Sequence, residues 1–124
     1  MNAKKIQEEI EKNWYWDFRV ERIESSNFFD DLILEYFDEN DIVSFRFESC
    51  YEIHFQQDLH FEKKKRMKNC SSNEIPYYIQ DVSVSEVTKK EDTYYNVFMN
   101  IWPMSLNVLC KDVHVSRKSR MSIE

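Results

Sequence analysis

The sequence predicts an α+β domain, with a short N-terminal helix packed on a largely antiparallel β-sheet meander of about six to eight strands. Three observations carry this reading. Apolar residues recur every four positions at the start of the chain, at Ile6, Ile10 and Trp14, and then at every second position through most of the remainder. The alternating runs are short and separated by polar clusters, which favours hairpins over parallel βαβ units. Nine Phe, seven Tyr and three Trp in 124 residues supply enough large apolar area for one core without disulfide or metal staples. The chain reads as a single domain, 1–124, with a helix at 3–14, a β-rich body at 17–115 and a frayed tail at 116–124.

The helix places Ile6, Ile10 and Trp14 on one stripe, with Lys4–Glu8 and Lys5–Glu9 pairs on the wet face. It is too short to be stable alone, so it must dock on the sheet. A strand at about 17–24 follows, with Phe18 and Val20 alternating against Arg19 and Glu21, and Ser25-Ser26-Asn27 turns the chain. A second strand at 28–37 carries Leu32, Leu34 and Tyr36 on one face. The clearest alternation lies in 42–55, where Val43, Phe45, Phe47, Tyr51, Ile53 and Phe55 share odd parity. It predicts one strand kinked near Ser49-Cys50, or two strands with a tight turn there. Lys63 to Lys68 reads as an exposed basic loop. Strands at 77–88 and 93–102 follow, the latter ended by Pro103. The last, 106–115, has Leu106, Val108 and Cys110 on one face and then Val113 and Val115 after a phase change near Lys111-Asp112.

The chain contains no glycine. Glycine is what gives a backbone cheap access to φ > 0 and close approach to a ligand. A P-loop, a GxGxxG dinucleotide turn and a GxSxG nucleophile elbow are therefore excluded. The turns Ser25-Ser26-Asn27, Asp38-Glu39-Asn40-Asp41 and Lys89-Lys90-Glu91-Asp92 are expected to carry charge and make no demand for φ > 0. Such a sheet offers charged rims in place of ligand-cradling loops, and no cofactor is expected.

Charge is unevenly placed. Residues 1–62 carry 16 acidic and 6 basic side chains, a net of −10, whereas residues 63–124 carry 7 and 11, a net of +4. An acidic half argues against general nucleic-acid binding and suits a basic protein partner. The N-terminus has no apolar segment of the signal-peptide kind, and no apolar run approaches 18 residues, so neither export nor a membrane span is expected. Cys50, Cys70 and Cys110 then read as free thiols of a cytoplasmic protein.

Three constellations invite chemistry. Glu52, His54, Asp58, His60 and Glu62 share even parity, the raw material of general acid–base catalysis in a small hydrolase, but the wet face of a half-buried sheet is polar for that reason alone. Cys50, His54, His60 and Cys70 lack the tight ligand pairs of a structural zinc site, so no metal is expected. Cys110 and His114 lack an oxyanion turn. The basic segment 61–78, with Phe61, Tyr77 and Tyr78 as stacking rings, is the alternative of a single-stranded RNA binder.

The densest feature is acidic. Asp30, Asp31, Glu35, Asp38, Glu39 and Asp41 place six carboxylates in twelve residues, with Phe28, Phe29, Tyr36 and Phe37 among them. Carboxylates steer a basic partner and aromatics anchor it. Tyr36 and Phe37 are the candidate anchors, one of which must face the core.

Four patches resemble the YxiG-like family of small Firmicute proteins: Asn13-Trp14-Tyr15-Trp16-Asp17-Phe18, Phe29-Asp30-Asp31-Leu32-Ile33, Ile75-Pro76-Tyr77-Tyr78-Ile79-Gln80-Asp81-Val82, and Trp102-Pro103 through Val113. The resemblance implies a cytoplasmic immunity protein of the kind found beside polymorphic-toxin loci, which binds and neutralises a toxin domain without a cofactor. It supplies no catalytic residues.

Overall fold

The computed structural model of the chain describes residues 1–62 and 64–120. The elements are α1 (Ala3–Lys12), β1 (Val20–Ser26), β2 (Asp31–Asp38), β3 (Asp41–Gln57), β4 (Asp81–Lys89), β5 (Asp92–Ile101) and β6 (Met104–Ser119), with single 3-10 turns at Met67–Asn69 and Ser72–Glu74. The strands form one antiparallel sheet in the order β1-β2-β3-β6-β5-β4. The expected meander is thus two three-stranded meanders joined where β3 lies along β6. That joint is the longest ladder, running from Asp41 opposite Ser119 to Gln57 opposite Met104.

The sheet curls. Asp17 N–H donates to the Ile79 carbonyl, Ile79 N–H to Phe18 and Val20 N–H to Tyr77, so the segment entering β1 pairs with the segment entering β4. The concave face holds the core. Leu32, Leu34 and Tyr36 of β2, Val43, Phe45 and Phe47 of β3, Val97, Met99 and Ile101 of β5, and Leu106, Val108 and Cys110 of β6 are all buried there. Ile6 and Ile10 of α1 close it, each contributing about 1.5–3 kcal/mol by burial.

Helix α1 begins where the Asn2 side chain accepts from Lys5 N–H. It ends two residues earlier than its apolar period predicts. Trp14 lies past the end with φ 52° and is exposed, and Tyr15 takes the third buried place instead. Phe28 and Phe29 also leave their expected strand, because the turn before β2 extends through Asp30. Strand 42–55 proves to be one bent strand. Its ladder with β6 shifts register between Cys50 and Glu52, and Ser49 sits at φ 56°. The stretch 77–79 pairs with the chain before β1 and not within β4. The tail forecast as frayed is strand as far as Ser119, because Asp41 to Ser44 of β3 pair with it; residues 121–124 of that forecast lie outside the described residues.

The turns contradict the expectation from missing glycine. Asn27, Phe28, Phe29, Glu39, Lys90 and Glu91 all have φ between 50° and 70°. Left-handed backbone is required here after all, and side chains with a Cβ occupy it at a cost of roughly 1–2 kcal/mol per residue.

Candidate protein-binding surface

The acidic stretch does not form one face. β2 buries its even positions, so Tyr36 lies wholly in the core, stacked on Phe18 with its hydroxyl donating to the Asn13 carbonyl. Burial pushes its phenol well above the usual value. Tyr36 is therefore excluded as an anchor. Phe37 faces outward, but the Arg120 guanidinium covers its ring at 4.3 Å.

The carboxylates divide between the two ends of β2, eight residues or roughly 25 Å apart. At one end, Asp38 and Asp41 both pair with Arg117 at 3.0 Å, which offsets their charge, and Glu39 is exposed on the hairpin turn. In the middle, Glu35 accepts from Ser44 and pairs with Arg22 at 3.4 Å. At the other end, Asp31 accepts from the Asn27 side chain and Asp30 is exposed.

That second end gathers the aromatics. Asn27, Phe28 and Phe29 are three consecutive left-handed residues, and this backbone throws both rings outward. Phe28 is fully exposed and Phe29 is 61% exposed. The Asp30 carbonyl accepts Cys50 N–H at 2.9 Å, which fixes the turn against the bend of β3. Between them lies a cleft of about 390 Å³ lined by Phe28, Phe29, Cys50, Tyr51, Glu52, Ile53 and Phe55. Tyr51 and Phe55 are 60% and 47% exposed. Burial, with Asp30 and Asp31 nearby, raises the Cys50 thiol to about 11, so it remains neutral and serves as an apolar lining group. Sequence parity placed Tyr51 and Phe55 in the core; Tyr51 is turned out as the unpaired residue of the bulge, whereas Phe55 keeps the core face opposite Leu106 and is exposed because β2 reaches no further than Glu48.

The other candidates stay apart. His60 lines a second cleft with Leu59, Phe98 and Trp102; His54 stands opposite Asn107 on the same convex face but does not line that cleft. Cys110 points into the core and is raised by burial to about 12, while His114 is exposed and pairs with Glu48 at 2.7 Å. Among the described residues no three His, Cys, Asp or Glu side chains are grouped to hold a metal. The basic loop, of which Lys63 lies outside the described residues, is tied down beyond it: Lys65 pairs with Glu74 at 2.7 Å, and the Arg19 guanidinium donates to the Ser72 carbonyl. Of its rings, Phe61 packs edge-on against Trp102 and the Tyr77 hydroxyl donates to Gln57, so the three do not form one stacking platform. Among the described residues no helix is long and apolar enough to cross a membrane.

The family model described as immunity protein PIM7 matches residues 2–117. No curated protein matches the chain.

Proposed function

The chain belongs to the PIM7 immunity protein family, and from that premise we propose that it neutralises a toxin domain in the cytoplasm by binding and covering it. The surface is the turn 27–31 with the adjoining half of β3. The observation that carries this assignment is the pair Phe28 and Phe29, held in solvent by consecutive left-handed residues. Exposed rings beside carboxylates that make no ion pair among the described residues are what an interface anchor requires. Asp30 and Glu52 flank the rings and steer a basic partner, as a nuclease toxin would be. The reading is one of binding and not of catalysis, since His54 and His60 line no common cleft. The YxiG-like likeness is a narrower proposal of the same kind, carried by the four patches that resemble that family.

This assignment moves the contact from the whole stretch 28–41 to one end of it. Asp30 and Asp31 stay, Glu35 becomes peripheral, and Asp38, Glu39 and Asp41 lie at the far end with Arg117. The test is affinity for the toxin domain encoded beside this chain's gene, measured by calorimetry. Phe28→Ala with Phe29→Ala is expected to weaken binding by about 2–4 kcal/mol, or roughly 30- to 1,000-fold. Asp38→Asn with Asp41→Asn is expected to change it less than about threefold, as for rim charges. The reverse ranking of the two variants would overturn the assignment.

A further inference from the structure

β3 is 17 residues long and β2 only 8, so β2 ends opposite Glu48 and leaves the second half of β3 without a strand on that side. Residues 52–57 pair with β6 on one side only, Tyr51 being the extra residue of the bulge, and among the described residues the last backbone bond across the other side is Cys50 N–H to Asp30. In an antiparallel ladder alternate residues direct both N–H and C=O away from the paired neighbour. The segment Tyr51-Glu52-Ile53-His54-Phe55-Gln56-Gln57 therefore presents an open strand edge about 20 Å long. It carries no lysine and no proline, the residues with which proteins normally defend such an edge.

We propose that this edge receives an extended strand of the toxin partner, which adds to the sheet beside β3 and lays its apolar side chains into the Phe28–Phe29–Phe55 cleft. This rests on the binding reading above and names its mode. Backbone hydrogen bonds supply register, and the cleft selects alternate side chains of the incoming strand. The charged side chains at the edge and its closing turn are Glu52, Asp30 and Asp31, all acidic, so the incoming strand is one that interleaves apolar with basic residues. The same charges argue against a second copy of this chain as the occupant. Self-pairing would bring two acidic edges together on a protein of net charge −6.

The test is amide hydrogen exchange on the full chain, free and with the neighbouring-gene toxin domain at saturation. Strand addition predicts that alternate amides within 51–57 slow by at least about tenfold in the complex, with the strongest effect beside Phe55. It also predicts that Phe28→Ala with Phe29→Ala, where a complex still forms at higher concentration, keeps that alternating protection, because the ladder is made by backbone. A complex that protects other surfaces and leaves 51–57 unchanged overturns strand addition while the binding reading stands. No complex at all overturns both. Protection of 51–57 in the free chain that rises with concentration, together with a doubled mass, makes a second copy the occupant and overturns the partner proposed here.

Discussion

β4 and the second half of β3 each have one side without a strand neighbour, and the chain treats them in opposite ways. Along β4 the helix takes the place of a strand. The Gln7 side chain donates to the Val82 carbonyl and accepts Val84 N–H, both at 2.8 Å, as the next strand would. The Tyr15 hydroxyl accepts Val82 N–H, and Glu86 accepts Ala3 N–H from the start of α1. Along residues 51–57 of β3 nothing comparable is built among the described residues, and the edge is marked only by the bulge at Tyr51 and the charge of Glu52. An open edge is a liability for aggregation that natural sheets remove by cover, charge or proline. A chain that covers one edge with a dedicated glutamine and leaves the other bare, beside two solvent-exposed phenylalanines, points to occupation of the bare edge by something else.

The covered edge can be broken directly. Gln7→Ala leaves Val84 N–H and the Val82 carbonyl, both part-buried, without partners. Stranded groups of this kind cost about 1–3 kcal/mol each, less where water reaches them. A loss near 2 kcal/mol in urea unfolding is expected, with an unchanged m-value. Affinity for the partner should not move, because β4 lies on the opposite side of the sheet order from the open edge. A loss of affinity as large as the loss of stability would show that the two edges are not independent.

The open edge should respond in the contrary sense. Phe28 has φ 58° and is fully exposed, so its ring contributes no burial while its Cβ opposes the backbone. Phe28→Gly is expected to raise stability by roughly 1 kcal/mol, since glycine accepts φ > 0 without that penalty. The same change removes an anchor ring and should weaken partner binding at least tenfold. Stability gained with affinity lost is the mark of a residue kept for recognition. A destabilised Phe28→Gly protein would mean that the ring packs against the fold, and the contrast between the edges would lose its second half.

Much of the fold was legible because it depends on period. Ile6 and Ile10, the even positions of β2, and Val43, Phe45 and Phe47 fall where spacing puts them. The phase change near Lys111-Asp112 also appears, as Cys110 and Val113 are both buried. The proposed binding surface was less legible, for a local reason. Parity carries a side chain to the correct face only while the ladder is regular. The bulge at Ser49–Glu52 breaks that rule for Tyr51, while Phe55 keeps its face and is exposed because β2 stops short of it. The left-handed turn had no glycine to announce it, so Phe28 and Phe29 read as strand. The six carboxylates looked like one feature because they are close in sequence, yet an extended strand separates its ends by the full length of β2. The arginine that offsets Asp38 and Asp41 comes from β6, more than 70 residues away in sequence.

The smallest effect concerns the connection between β3 and β4, which lies beyond the open edge. Glu74 is held at about 2, well below the usual carboxylate value, first by the hydrogen bond from Lys65 and then by the Ser71 backbone N–H and hydroxyl. A carboxyl whose folded value is depressed contributes stability above its unfolded value of 4.5 and loses it as pH falls through the folded one. The 3-10 turns at Met67–Asn69 and Ser72–Glu74 should therefore stay closed at pH 5, loosen progressively below about 4.5 and open near pH 2. Because the ion pair is at the surface, the effect is local and salt-sensitive, and global stability should follow other carboxylates. Amide exchange at Ser71 and Glu74 between pH 5 and 2, corrected for the intrinsic pH dependence of exchange, reads this directly, and Glu74→Gln should abolish the pH response. If protection at 51–57 in the complex falls with the same midpoint, the connection is part of the recognition surface and the open edge extends further than β3. If it does not, the edge and its flanking turn act alone, and the tied-down basic loop serves the fold only.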